Sequence, residues 1–229
     1  MRRAGVLLAA SLAATAHAQA DAPTRWIGDL GAGVERSQAS APGAAARTRA
    51  IPYAYGDYGP LFVREDTVGA KLVPVGWGAL ELVARIDTEG SDGDGPGLAH
   101  RTNPRPVGLG TFQETPWGGV FADAFVDTVS GGTLLEASYA AELPLGPVTV
   151  YPQIGAARRS ARYQAHLWDV RAASTTPVFA LSAEAPVAGA WVLLAHAQVE
   201  SSPRALRESA RVDARSRASA FVALAWRFR

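Results

Sequence analysis

Histidines, hydroxyls and carboxylates are the side chains here that could do chemistry, and their spacing limits which reactions they could support. The chain has four histidines, of which His17 falls in an apolar leader-like stretch and the others are His100, His166 and His196. A serine hydrolase needs a Ser–His pair with a carboxylate or amide orienting the imidazole. His100 lies near Thr102 and Asn103 in a Gly/Asp-rich segment, His166 lies beside Asp169, and His196 falls inside an alternating apolar segment. None has a serine at a spacing that puts both groups on one strand face, so no catalytic residue is assigned and the chain is read as non-enzymatic. The run Asp87-Thr-Glu-Gly-Ser-Asp-Gly-Asp-Gly95 alternates carboxylates with turn residues, as a calcium loop does. It lacks the closing glutamate of an EF-hand and no helical pattern flanks it, so it is read as a solvated acidic loop. Cysteine is absent, which removes disulfides and thiolate metal sites. No cofactor and no metal are expected.

The elements that would position these groups begin with an export signal. Arg2 and Arg3 precede an uncharged apolar stretch from Ala4 to Ala16, and Ala16-His17-Ala18 has the small-x-small form that signal peptidase recognises. That stretch is shorter than the roughly 20 residues a helix needs to span a bilayer. Residues 1–18 are therefore read as a signal peptide and 19–229 as the mature domain. The formal charge is +1 over the whole chain and turns slightly negative once Arg2 and Arg3 are removed. A near-neutral balance gives no basic face for nucleic acid. Lys71 is the only lysine among the basic residues.

After the leader there is no apolar run long enough for a membrane helix, and strict alternation takes its place, the period of a strand with two unlike faces. Ala220, Val222, Leu224, Trp226 and Phe228 fall on one face, against Ser219, Phe221, Ala223, Ala225 and Arg227. Trp191, Leu193, Ala195, Ala197 and Val199 likewise oppose Val192, Leu194, His196, Gln198 and Glu200. Leu135, Ala137, Tyr139 and Leu143 oppose Glu136, Ser138 and Glu142. A soluble sandwich also alternates. Its outward faces would carry more Lys and Thr, and its inner faces would be heavier than these alanine-rich stripes.

Loop lengths favour a membrane barrel independently. Strands are expected near 24–35, 47–55, 58–63, 67–74, 79–87, 107–114, 119–128, 133–143, 147–157, 176–185, 190–200 and 218–228, about 12 in all, the even number that single-chain bacterial barrels have. Every second connection is short: Gly56-Asp57, Val75–Gly78, Thr115–Gly118, Pro144–Gly146 and Pro186–Gly189. The alternate set holds all the long ones: Ser37–Ala46, Thr88–Pro106, Arg158–Thr175 and Ser201–Arg217, with short exceptions near Glu65 and Ser130. Short periplasmic turns and long outer loops are what a transmembrane antiparallel up-and-down β-barrel shows. The fold class is thus all-β, with both termini on the periplasmic side and outer-membrane lipid as solvent. Trp77, Trp117 and Trp226 fall at the short-turn end, where a periplasmic aromatic girdle belongs. Charged positions on the inner face, among them Lys71, Glu81, Arg85, Asp123, Asp127, Glu184, Glu200 and Arg227, allow either an aqueous pore or a salt-bridged, plugged interior.

Against this frame the chain resembles the MipA/OmpV family (MltA-interacting protein) of outer-membrane proteins over nearly all of the mature part. The resemblance rests on Ile51-Pro-Tyr-Ala-Tyr-Gly-Asp57 with Pro52, Tyr55, Gly56 and Asp57, followed by Leu61-Phe-Val-Arg64 and Val68-Gly-Ala-Lys-Leu72. It continues through Arg101–Pro106 into Val107-Gly-Leu-Gly110, and through Asp127-Thr-Val-Ser130-Gly131 with the downstream Tyr139. It ends with Ser202-Pro-Arg-Ala-Leu-Arg-Glu-Ser209 and a closing strand through Phe228. The chain departs from the family in carrying Gly132-Thr133 where a His-Lys pair is frequent, in a short 170–175 region, and in Arg229 following the terminal aromatic. The resemblance implies a scaffold that associates with a murein lytic transglycosylase and a penicillin-binding protein. It equally leaves open a small-solute porin, or a surface adhesin or antibiotic-responsive barrel. Insertion would use the barrel-assembly machinery, which reads a C-terminal aromatic strand. Deleting Arg229 is therefore expected to leave membrane insertion equal or improved, as judged by the heat-modifiable fraction on electrophoresis. Reduced insertion would overturn that reading.

Overall fold

A computed structural model describes residues 25–39, 44–85, 101–209, 211–212 and 215–229. The proposed leader, His100 and the acidic 87–95 segment lie outside the described residues. The rest forms a closed antiparallel β-barrel of 12 strands. In chain order the strand segments are β1 (Trp26–Ser37), β2 (Arg47–Tyr58), β3 (Leu61–Arg64), β4 (Thr67–Val75), β5 (Gly78–Arg85), β6 (Pro106–Thr115) and β7 (Gly118–Asp127). They continue with β8 (Thr133–Ala141), β9 (Leu143–Leu145), β10 (Val148–Arg159), β11 (Ser174–Ala188), β12 (Trp191–Ser201) and β13 (Ser216–Phe228). β8 and β9 are one strand interrupted at Glu142, since both pair with β10. Two helices, α1 (Ala161–Trp168) and α2 (Arg204–Arg207), sit in long connections.

Each strand pairs with its neighbours in sequence, and the sheet closes where β1 meets β13 from Gly28↔Phe228 to Ser37↔Ser219. Closure joins the first strand to the last, so the strands satisfy their backbones inside the sheet wherever a neighbour reaches, as a bilayer requires. Alternation then decides which side chains face out. Val34, Val126, Ile154, Phe179 and Val222 are all more than half exposed. A continuous belt of such residues is untenable in water but is what hydrocarbon demands. A bulge between Lys71 and Val73 turns Leu72 and Val73 outward together, keeping both apolar residues on the lipid face. No helix among the described residues is long and apolar enough to cross a membrane.

The five expected short turns all close one rim, but the fourth and fifth begin later than expected, at Gly146 and Gly189, because Pro144 lies in β9 and Pro186 in β11, and the first is displaced as well. The sequence places it at Gly56-Asp57, whereas β2 runs on to Tyr58 and the turn is Gly59-Pro60. Gly59 takes the positive φ of 61° and Pro60 supplies a fixed negative one, which suits a two-residue hairpin loop. Gly56 is kept for the ladder, opposite Gly28, where a Cβ would lie 2.3 Å from the Ile27 carbonyl oxygen. Pro52 sits on the part of β2 that β3, pairing only with Tyr55–Tyr58, does not reach among the described residues. Proline is tolerated at such a position.

Inside, Arg64 donates to both carboxylate oxygens of Glu81 at 2.8 Å each; the Glu81 side chain is almost fully withdrawn from solvent and that of Arg64 is largely so. Removing one partner of such a pair strands the other charge. Glu81→Gln is expected to destabilise the barrel by about 3–5 kcal/mol, read from the denaturant midpoint of the refolded protein. A change under about 1 kcal/mol would show that the pair is solvated.

Candidate functional site

The lumen has a crowded, filled side and a side of smaller residues, with one cavity running between them. On the β3–β8 side, the Arg64–Glu81 pair is joined by Arg85, which pairs with Glu136 and lies 3.6 Å from Asp66. Aromatic rings pack the gaps. The Arg64 guanidinium lies 4.0 Å from the centre of the Phe62 ring, Arg85 lies 4.8 Å from Phe125, and Phe112 stacks on Phe121 at 4.6 Å. These contacts keep the largely desolvated charges paired.

A cavity of about 1370 Å³ runs through the lumen, lined on one side by β1, β2 and β10–β13 and on the other by residues that include Arg64, Arg85, Phe121, Asp123 and Glu136. Its lining reaches from Asp29 and Arg227 near the short-turn rim to Ser37 and Arg217 near the long-loop rim. Small residues lie beneath the rings that line one wall. The inward face of β1 reads Gly31 and Gly33, and the facing part of β13 reads Ala223 and Ala225. A Cβ at Gly33 would lie 2.3 Å from the Val222 carbonyl oxygen, so a larger residue there could not keep this ladder. Over the bare strip Tyr53 and Phe221 meet with ring centres 6.0 Å apart, and His196 stacks on Phe221 at 5.3 Å. Ion pairs frame the strip at each end. Glu35 holds Arg49 at 2.7 Å and Glu200 holds Arg217 at 2.8 Å on the long-loop side. On the short-turn side Arg227 bridges Asp29 at 2.8 Å and Glu184 at 2.9 Å.

The long-loop rim is covered on the filled side by α1. Ser160 caps it, its hydroxyl accepting from the Thr133 amide at 2.8 Å and from the Tyr163 amide at 3.5 Å. Tyr163, Gln164, Leu167 and Trp168 are buried, and packing joins them to Leu134, Leu206 and Val212. Gly132 gives the helix its seat, since a Cβ there would lie 2.4 Å from the Tyr163 nitrogen. Polar ties hold the cap down: His166 Nε2 lies 2.9 Å from the Thr102 carbonyl, and Asp169 accepts from Arg211 at 2.8 Å and Arg101 at 2.6 Å. These bonds, Arg211 first, hold the Asp169 carboxyl below the usual carboxylate range.

The residues singled out from sequence do not converge on one site. Tyr55 faces the lumen opposite Arg64, and Asp57 pairs with Lys71 at 2.9 Å near the short-turn rim. Asp127, expected as a lumen charge, instead serves its hairpin. It is fully buried and accepts from the backbone amides of Arg105 at 2.6 Å and Ser130 at 2.7 Å. Gly131 completes that turn with φ 65°, and the Ser130 hydroxyl accepts from Gly132 at 3.1 Å. Tyr139 lies on the lipid face and donates its hydroxyl to the Trp117 carbonyl at 2.8 Å. Ser202 opens the last loop by donating its amide to the Arg215 carbonyl at 2.8 Å, and Phe228 pairs with Gly28 at the seam. Trp77 and Trp117 stand at turn tips, 67% and 72% exposed, while Trp226 meets Trp191 edge-on at 5.3 Å on another flank.

The structure adds a pairing that spacing along one strand could not reveal. Ser182 on β11 lies directly across from His196 on β12, with its hydroxyl 2.8 Å from Nδ1. The backbone amides around it lie within the β10–β11–β12 ladders, so none is free to form an oxyanion hole. The pair can share a proton or bind a hydroxyl, and the arrangement lacks the rest of an acyl-transfer site. Among the described residues no group of three His, Cys, Asp or Glu side chains is placed to hold a metal ion.

The profile of the family described as MltA-interacting protein MipA matches residues 30–228, most of the chain and all but the first residues of the barrel. A search of the curated proteins finds no significant match.

Asp169 has a depressed pKa in the folded state, so its contribution is present above the ordinary carboxylate pKa of about 3.9 and is lost as pH falls through the lower folded value. Asp169→Asn is expected to raise the acrylamide quenching of Trp168 at neutral pH, and the native protein to show the same rise only in acid below about pH 4. Equal quenching in both proteins across that range would show that the tether does not hold the cap.

Proposed function

We propose that this chain, which belongs to the MltA-interacting protein MipA family and is an outer-membrane β-barrel, is a non-enzymatic scaffold that positions wall enzymes beneath the outer membrane. The family match over residues 30–228 carries this reading. A murein lytic transglycosylase is the first partner, as the family's name suggests, and a penicillin-binding protein the second, so that cleavage of peptidoglycan is held next to its synthesis. The physical contribution is rigidity: a closed barrel fixes its short turns relative to the bilayer. Those turns, Gly59-Pro60, Gly76-Trp77, Pro116-Trp117, Gly146-Pro147 and Gly189-Ala190, form the periplasmic surface. Residues 1–18 act as the signal peptide and 19–229 as the inserted domain, and Trp77, Trp117 and Trp226 form the periplasmic girdle.

A second reading has its own support. The cavity within the lumen gives room for a small-solute path, in addition to a scaffold role.

Purified barrel immobilised in detergent is expected to enrich a transglycosylase from solubilised envelopes well above an unrelated barrel of similar size. Equal recovery on both would count against the scaffold. In planar bilayers the solute path requires a steady open conductance, and a silent membrane would remove that second reading without touching the first.

A further inference from the structure

The lumen cavity has a lining that discriminates among solutes. Most of its charges occur as opposite pairs, Glu35 with Arg49 and Glu200 with Arg217 at one end, Arg227 between Asp29 and Glu184 at the other, and Arg85 with Glu136 across the cavity, while Glu65 and Asp123 add further carboxylates to that far wall. An ion entering such a path must shed water, and it meets repulsion from one member of each pair as well as attraction from the other. A purely apolar solute would strip water from those pairs and return nothing. A neutral solute rich in hydroxyls does better on both counts. Ionised donors and acceptors make stronger hydrogen bonds than neutral ones, and hydroxyls can replace the water they displace.

Between the charged ends the wall changes character. Tyr53, Phe221 and His196 form a run of adjoining rings, with centres 6.0 Å and 5.3 Å apart. The Gln153 amide, the Gln198 amide and the Ser182 hydroxyl share the same cavity. Rings offer an apolar face to the C–H side of a pyranose, while the amides and hydroxyl reach its polar edge. Ligand sites typically combine an aromatic surface with a few placed polar groups in this way, at volumes of about 300–1,000 Å³. The cavity of about 1370 Å³ has room for a short oligosaccharide.

We infer that the strip of rings formed by Tyr53, Phe221 and His196, framed by the paired charges, is a binding site for uncharged oligosaccharides within the lumen. This rests on the solute-path reading only for transport, because the site can bind whether or not the solute passes through.

Maltotriose is the probe. The folded full-length barrel in detergent micelles is titrated and followed by saturation-transfer NMR, and the wild type is expected to bind it saturably. Phe221→Leu, which keeps bulk but loses the ring, and the Tyr53→Ala/Phe221→Ala double variant are expected to weaken binding by about five- to tenfold. Val222→Ala, on the lipid face of the same strand, should bind as the wild type does. Each variant is compared only after heat-modifiable migration shows a closed barrel, and Phe221→Leu guards against collapse of the double variant. No saturable binding by the wild type, or undiminished binding by Phe221→Leu, would overturn the inference. Liposome swelling separates the two readings. Binding without permeation of maltotriose removes the path and leaves the site. Permeation of lysine and glutamate as fast as maltose, with no binding, leaves the path and removes the site.

Discussion

Backbone hydrogen bonding at the seam between β1 and β13 is the constraint on which the other features depend. Lipid offers no partner for an open strand edge, so the first and last strands must meet along their full length. They do so from Gly28↔Phe228 to Ser37↔Ser219, with β2 held on the other side of β1 from Trp26↔Tyr58 to Ser37↔Arg47. Close approach on both sides leaves little space for side chains on the inward face of β1, and Gly31 and Gly33 occupy it. The bare wall that follows is what lets rings from β2 and β13 touch across an intervening strand. Seam closure and lumen shape are therefore two results of the same close packing.

The contrast with the other half of the barrel is one of charge burial. There, arginines lie against both carboxylates and rings, so each desolvated guanidinium has two kinds of partner. The α1 cap sits over this side, seated on Gly132 and packed with Leu134. The lumen cavity runs between this charged, ring-packed wall and the small-residue wall.

Period-two alternation and the sorting of loops by length made the barrel legible from sequence, because both follow directly from a lipid face and a rim of short turns. The strand segments around Val222, Leu193 and Leu135 appear on the outward face as their alternation requires. The first turn slid by three residues because Gly56 and Gly59 are equally plausible turn glycines until the Gly28 partner is known. The α1 helix carried a readable signal, a Ser160 cap followed by Tyr163, Gln164, Leu167 and Trp168 at helical spacing, but it sat in a stretch taken as loop. Asp127 looked like a lumen charge because alternation assigns a face and says nothing of backbone amides three residues away. The Ser182–His196 contact depends on register between strands, which one sequence does not display.

The proposed aromatic anchors have a mechanical consequence. Trp77 and Trp117 project from two turns separated only by β5 and β6, while Trp191 and Trp226 sit together on β12 and β13. Indole rings prefer headgroup depth, so these positions resist vertical displacement more than the rim between them, where Leu143 and Leu145 stand instead. A bilayer thinner or thicker than the apolar belt would then be met by pivoting about the line joining the two anchored flanks. Hydrophobic mismatch would change the tilt of this barrel before it changed its depth.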